Sequence, residues 1–139
     1  MILQLNNDAI KSTFLDLWNK KGCELPFTQK EFAFWCDCDM PESTTAYVVL
    51  DDEGSIVGGF IVYPLTLPPT LFVQLAIILN PHCRLEFKPF LQRVAEKHGF
   101  DSISFITPLG IRAHMGRIFE AEEVGVMLRH TWKPCKSKN

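Results

Sequence analysis

The chain lacks an excess of basic residues, a membrane-length apolar run, a paired cysteine framework, and any repeat or low-complexity tract, and each absence narrows its function. Lys and Arg number 14 against 16 Asp and Glu, a formal net charge of −2. A surface that neutralises nucleic-acid phosphates needs the opposite balance. No apolar stretch approaches the ~20 residues that span a bilayer, and the opening MILQLNNDAIK has neither a cationic lead nor a long apolar segment. Neither nucleic acid nor membrane is therefore an expected partner, and a cytoplasmic location follows. The cysteines, Cys23, Cys36, Cys38, Cys83 and Cys135, are odd in number and sparse, so reduced thiols are expected. Cys36-Asp37-Cys38, with Cys23, lacks the second spaced pair of a zinc site and reads as structural thiols at a helix end, with no metal. The histidines His82, His98, His114 and His130 are evenly spaced, but their flanks share nothing and the spacing is taken as chance.

What is present is a soluble globular composition: 139 residues, 47% hydrophobic and 22% charged, with 11 Phe to build an aromatic core. A chain of this length buries about two-thirds of the surface it exposes when unfolded, so one domain over residues 1–139 is expected. Lys133, Lys136 and Lys138 mark residues 133–139 as a flexible basic tail. Residues 1–5 read as a short strand. Asn7 or Asp8 is placed to cap a helix whose apolar stripe is Ile10, Phe14, Leu17 and Trp18, ending before Gly22. Thr28-Gln29-Lys30-Glu31 is a capping box that opens a second short helix carrying Phe32, Phe34 and Trp35. Residues 44–50 and 55–63 are β-rich and joined by Asp51-Asp52-Glu53-Gly54, a hairpin signal. After the Leu67-Pro68-Pro69 break, residues 71–79 form a buried strand. Phe87, Phe90, Leu91 and Val94 then trace a helix face that Gly99 stops, and residues 101–106 return as a strand. Strand, helix and strand make a right-handed βαβ unit with parallel pairing. Ile111, Met115, Ile118 and Phe119 outline a last helix, and alternation from Val124 to Trp132 a last strand.

The segment between Asn80-Pro81 and Phe87 is a strand-to-helix turn, where free N–H groups and the positive helix end favour an anion. The stretch NPHCRLEFKPFLQRVAEKHGF, together with the order of elements, resembles the GNAT (GCN5-related N-acetyltransferase) superfamily. The pyrophosphate loop of that family reads Arg or Gln, two residues, Gly, one residue, then Gly or Ala. Counted from Arg84, the two small-residue positions hold Phe87 and Pro89, and Leu85 stands where many members carry a further glycine. Phe is bulky where a phosphate approaches the backbone, and Pro has no N–H to donate. Residues 83–120 also resemble GNAT-like internal virion proteins of short-tailed bacteriophages, which dispense with these glycines. The resemblance implies a single α/β (α+β) domain, with a mixed sheet of about six or seven strands, antiparallel in its first half and a parallel βαβ in its second, and about four helices.

It also implies a set of catalytic parts. The backbone of Ile77, Ile78 and Leu79 corresponds to the splayed strand that holds a pantetheine arm, and Arg84, Leu85, Glu86, Phe87 and Lys88 to the phosphate loop. The family often uses a Tyr acid on its last helix, but no Tyr follows Tyr63, and Arg117 lies near that place. The central strand offers no carboxylate or His as a base before His82. The favoured expectation is thus a GNAT-fold protein with a degenerate loop, non-catalytic, with no cofactor, acting by binding a protein partner in a virion or on a host component, or as a homo-oligomer. The alternative is an active acetyl-CoA-dependent N-acetyltransferase with an atypical loop. Cys83 beside Arg84 is a weaker nucleophile candidate. Trp18, Phe32, Phe34 and Trp35 cannot all face one core, so some of them are expected to be exposed as a partner site.

Overall fold

A tight hairpin joins β-strands at the middle of the sheet. Asp51 Oδ1 accepts from the N–H groups of Glu53 and Ser55, both at 2.9 Å, and Gly54 takes φ 86°, so β2 (Thr45–Leu50) turns back into β3 (Ile56–Thr66). The computed structural model describes residues 1–21, 27–67, 69–80 and 84–105. Its five strands form one sheet in sequence order, with β1 (Ile2–Leu5) at one edge and β4 (Pro69–Ile78) and β5 (Ile103–Phe105) at the other. The pairs from β1 to β4 are antiparallel, and β4 with β5 is parallel. This is the expected mixed α+β sheet. The parallel pair is joined by α3 (Arg84–Lys97), which ends where Gly99 takes φ 81° and the Phe100 N–H donates to the Ala95 carbonyl at 2.9 Å. No helix of the described residues is long and apolar enough to cross a membrane.

The two faces of the sheet carry separate cores. On one, α3 lays Phe87, Leu91 and Val94 over Val49, Phe60 and Val62. On the other, α1 (Ile10–Lys21) and α2 (Gln29–Phe34) cover Ala46, Ile61, Leu75 and Ile77 with Phe14, Leu17, Trp18 and Phe32. Both helices follow from their sequence. Ile10, Phe14, Leu17 and Trp18 recur at helical spacing, and the Thr28–Glu31 capping box is formed in both directions, at 3.0 and 2.8 Å. A five-residue π-helical turn, Trp35–Asp39, extends α2.

Three expectations need correction. The cap before α1 is Asn6 rather than Asn7 or Asp8, because its Oδ1 accepts from the Asp8 N–H at 3.0 Å and opens a 3-10 turn, Asn7–Ala9, that leads into the helix. The strand β3 continues past Tyr63 through Pro64 to Thr66. Pairing with β2 stops at Val62, so Pro64 sits where one edge of β3 carries no ladder to lose. Pro69 opens β4 instead of breaking the chain before it, as a proline can at the first residue of a strand. The expected last helix, last strand and basic tail lie outside the described residues.

Close approach fixes one glycine. A Cβ at Gly59 would lie 2.9 Å from both the Phe14 ring and the Tyr47 carbonyl, in the centre of the sheet under α1. Gly59→Ala should therefore destabilise the protein by about 1–3 kcal/mol, the usual cost of overpacking, and urea unfolding followed by circular dichroism measures it. An unchanged midpoint would mean that α1 does not pack against the sheet as described.

Candidate functional site

The strand β4 changes face halfway along. Leu71 and Val73 belong to the core under α3, whereas Leu75 and Ile77 belong to the core under α1. Strict alternation would keep all four on one side. The difference is a bulge: Ile61 pairs with Leu75 and Val62 with Val73, so Gln74 is an extra residue in the ladder. Gln74 faces the α1–α2 side, where its Oε1 accepts from the Tyr63 hydroxyl at 3.2 Å. Among the described residues, which end at Phe105, the parallel pairing with β5 spans Leu71 to Val73. From Gln74 onward, the outer edge of β4 has no strand partner among the described residues.

Which peptide groups face that edge follows from one hydrogen bond. The Leu79 N–H donates to the Val57 carbonyl at 2.8 Å, toward β3. Since backbone groups alternate sides along a strand, Leu79, Ile77 and Leu75 face β3, and Ile78 and Ala76 face outward. Of Ile77, Ile78 and Leu79, only Ile78 turns its peptide N–H to the outer edge, as Ala76 does, while Ile77 and Leu79 face β3. A short connection, residues 79–83, then leads to the start of α3. The N–H groups of Arg84, Leu85 and Glu86 in its first turn have no intrahelical acceptor, and the helix dipole adds positive potential there. A row of outward strand amides therefore runs toward an anion-favouring helix end.

The structure removes the steric objection to this loop. Phe87 is 1% exposed, and its ring lies 4.8 Å from that of Phe60 in an edge-to-face contact. Phe87 faces the sheet and anchors α3 to it, so the side chain does not fill the loop. At Gly58 a Cβ would be in ordinary contact with the Phe87 ring, at 3.6 Å, and tight only against the Ile77 carbonyl, at 3.0 Å. Pro89 lies in the second turn of α3, where its missing N–H would have bonded the Leu85 carbonyl and not a ligand at the helix start. Leu85 is exposed, Lys88 is half-buried, and the exposed Glu86 carboxylate meets the Met1 ammonium at 3.5 Å. His82, Cys83 and Arg117 lie outside the described residues.

The four aromatics proposed as a partner surface separate. Trp18 and Phe32 are core, because Trp18 belongs to the buried stripe of α1 and Phe32 packs beneath it. Trp35 is half-buried, and its ring sits between those of Phe32 and Tyr63, at 6.1 and 6.2 Å. Phe34, on the outer side of α2, is exposed. Cys36 and Cys38 are in the turn after α2. Burial pushes the Cys36 thiol up to about 11, with Asp37 acting in the same direction, which makes it a poor nucleophile near neutrality. Among the described residues, no three His, Cys, Asp or Glu side chains gather as metal ligands.

No family model and no curated protein matches the chain in sequence. Solved structures do match its fold. An aminoglycoside N-acetyltransferase, AAC(6')-Iy, in complex with CoA aligns with a TM-score of 0.62 at 16% identity, over 97% of this chain and 100% of that one. The aminoglycoside 6'-N-acetyltransferase AAC(6')-IG from Acinetobacter haemolyticus aligns at 0.64 and 15% identity, over 97% and 99%. AAC(6')-Ih from Acinetobacter baumannii gives 0.61 and 13%, over 97% and 99%. At such identities the likeness establishes the fold, which is that of the GNAT acetyltransferases. The virion-protein likeness gains no support from these structures.

If Phe87 is an anchor and not an obstruction, its removal carries a stability cost and opens no site. Phe87→Ala should lower stability by about 3–5 kcal/mol without tightening acetyl-CoA binding. Chemical denaturation and ligand titration of the same variant test both halves.

Proposed function

We propose that the chain is an acetyl-CoA-dependent N-acetyltransferase. The observation that carries this reading is the outer edge of β4 beyond Val73, which has no strand partner among the described residues and whose Ala76 and Ile78 peptide groups face away from β3 toward the side where α3 starts. That geometry suits a ligand with an extended amide-bearing arm and a terminal pyrophosphate. The arm's amides have the Ala76 and Ile78 peptide groups to bond, and the phosphates have the first-turn N–H groups of α3. The CoA bound to the structural neighbour AAC(6')-Iy supports the same cosubstrate. The favoured sequence reading, a non-catalytic binding protein in a virion or on a host component, rested on Phe87 and Pro89 spoiling the loop and on the missing Tyr acid and strand base. With Phe87 in the core and Pro89 a turn further on, the first of these grounds is removed.

In the reaction a neutral amine attacks the thioester carbonyl. The N–C bond forms, the C–S bond breaks, and the departing thiolate takes up a proton while the new ammonium gives one to water. Neither β3 nor β4 carries a carboxylate or His, so no base stands on these strands, and the amine has to have lost its proton by the time it attacks. Activity should therefore rise with pH until the acceptor amine is fully deprotonated. Backbone amides do the holding, and exclusion of water from the edge strengthens their hydrogen bonds.

Acetyl-CoA at a hundred times its dissociation constant should stabilise the fold by about 2.7 kcal/mol, or roughly 5 to 10 °C in Tm for a chain of this size. Ile78→Pro deletes one outward N–H at the end of β4 and leaves the β3 ladder intact. It should weaken binding about tenfold, the worth of one hydrogen bond. Differential scanning fluorimetry reads both effects. No shift in the wild-type protein at millimolar acetyl-CoA would overturn the assignment.

A further inference from the structure

The β1 edge of the sheet is unprotected. Met1 and Leu50 exchange backbone hydrogen bonds in both directions, at 2.8 and 3.2 Å, so the main-chain groups of Met1 face β2. Facing alternates along a strand, which turns those of Leu3 toward β2 as well and those of Ile2 and Gln4 outward. Among the described residues no strand takes these outward groups. Sheet edges are commonly blunted by lysine, proline or a bulge. β1 reads ILQL, pairs with β2 in unbroken register and leaves Leu3 44% exposed, so its shortness alone guards it. Ile2 packs on the core under α3 and Leu5 on that under α1, which puts Leu3 on the α1 face. On the α3 face the edge borders an open groove of about 440 Å³ lined by Ile2, Leu85, Glu86, Pro89, Phe90 and Arg93. Glu86 and Arg93, two helical turns apart, share this flank of α3. Arg93 lies 5.7 Å over the Phe90 ring and has no carboxylate partner among the described residues.

We propose that the chain forms a dimer through this edge, with β1 pairing antiparallel to β1 of a second copy about a two-fold axis at Leu3. The inference is independent of the acetyltransferase reading. With the axis there, Ile2 stands opposite the partner's Gln4, and Gln4 opposite the partner's Ile2. Both residues turn N–H and C=O groups outward, so each pair is of the kind that exchanges two hydrogen bonds. A register one residue away would set these groups against others already bonded to β2. An axis at Gln4 would set Ile2 against Asn6, whose carbonyl already accepts from the Ala9 N–H at 2.9 Å. Leu3 meets its own mate in the non-hydrogen-bonded position, where side chains approach most closely, and its exposed apolar surface is covered. Charge selects a second copy over an unrelated strand. α3 runs antiparallel to β4 and hence in the direction of β1, so the axis sets it antiparallel to its mate. Glu86 then lies level with the partner's Arg93, and Arg93 with the partner's Glu86, across the joined grooves: one match of opposite charges, made twice. The Met1 ammonium, 3.5 Å from Glu86 Oε1, leaves the second carboxylate oxygen for this match.

The test is sedimentation velocity on the intact protein across a dilution series, with circular dichroism and melting temperature as controls for folding. The wild-type protein should sediment as a dimer at micromolar concentration and dissociate on dilution. Leu3 is exposed in the monomer, so Leu3→Lys, which sets two ammonium groups opposite each other across the axis, should give a folded monomer. Gln4→Pro removes an outward N–H without touching the β2 ladder and should do the same. Arg93→Glu should raise the dimer dissociation constant about tenfold, and adding Glu86→Arg to it should restore the wild-type value. A merely structural role for either residue does not produce that rescue. A wild-type protein that stays monomeric overturns the proposal and leaves the edge to a strand from another protein. A dimer that Leu3→Lys leaves intact overturns it as well, since the interface then lies elsewhere. If the β1 variants fail to fold, amide hydrogen exchange in the wild-type protein decides. The Ile2 and Gln4 N–H groups should be protected at concentrations that favour the dimer and exchange freely after dilution, and equal exchange in both conditions overturns the pairing.

Discussion

One extra residue in β4 governs the arrangement of everything downstream of it. By occupying a rung of the ladder with no partner on β3, Gln74 moves every later side chain of the strand to the opposite face: Ala76 and Ile78 turn toward α3, and Leu75 and Ile77 toward α1. A bulge also sharpens the local twist of the strand that carries it. The change of face along β4 and the position of the Gln74 amide beside Tyr63 are thus consequences of one insertion. A deletion at this point would restore alternation at the cost of putting Leu75 and Ile77 on the wrong side of the sheet.

The second dependence is the seat of α3. A helix whose first turn serves as an anion site must be held still at that end, because a site built on backbone N–H groups works only if the groups do not move. Phe87, in the first full turn, is the residue that holds it. It is buried against Phe60, and Phe90 adds contacts to Tyr47 at 4.9 Å and Phe60 at 5.7 Å. The aromatic that stands at a glycine position of the motif is thereby explained by packing. Small residues in such a loop let a ligand approach the backbone. Here that backbone belongs to a helix, and the side chain in question points the other way.

How much of this was legible in the sequence depends on the kind of signal. Capping boxes, hairpin turns and helical stripes are local, and Thr28–Glu31, Asp51–Gly54 and the Ile10–Trp18 stripe form as their residues dictate. The parallel pairing of β4 with β5 followed from strand, helix and strand with a glycine stop. The bulge was hidden because residues 71–79 are apolar at every position but one, so a change of phase leaves no trace in the pattern; Gln74 itself was the single cue. The role of Phe87 was misread because counting along a motif assigns residues to a loop without saying where the helix begins. Arg84 opens α3, and three residues later a side chain already faces the core. Trp18 and Phe32 were likewise over-read, since adjacency in sequence says nothing of the ring cluster into which they close with Phe27, at 5.8 and 6.5 Å.

That cluster continues outward. From Trp18 and Phe32 in the core, ring contacts run through Trp35 to Tyr63 and Phe72, so the wall beside the bulge is the surface end of the aromatic core. Rigidity there comes from packing, and it is inherited by the one polar pair on that face, Tyr63 and Gln74. Burial raises the Tyr63 phenol above its ordinary pKa, so the hydroxyl keeps its proton as a donor throughout the neutral range. A neutral donor fixed by a ring stack, with a neutral amide fixed by that donor, orients hydrogen bonds without introducing charge. In surroundings that exclude water, this avoids the desolvation penalty an unpaired carboxylate would bring to the same place. The absence of charge on β3 and β4 is therefore coherent with the packing: an acid placed there would need a buried cation to accompany it, and neither strand supplies one.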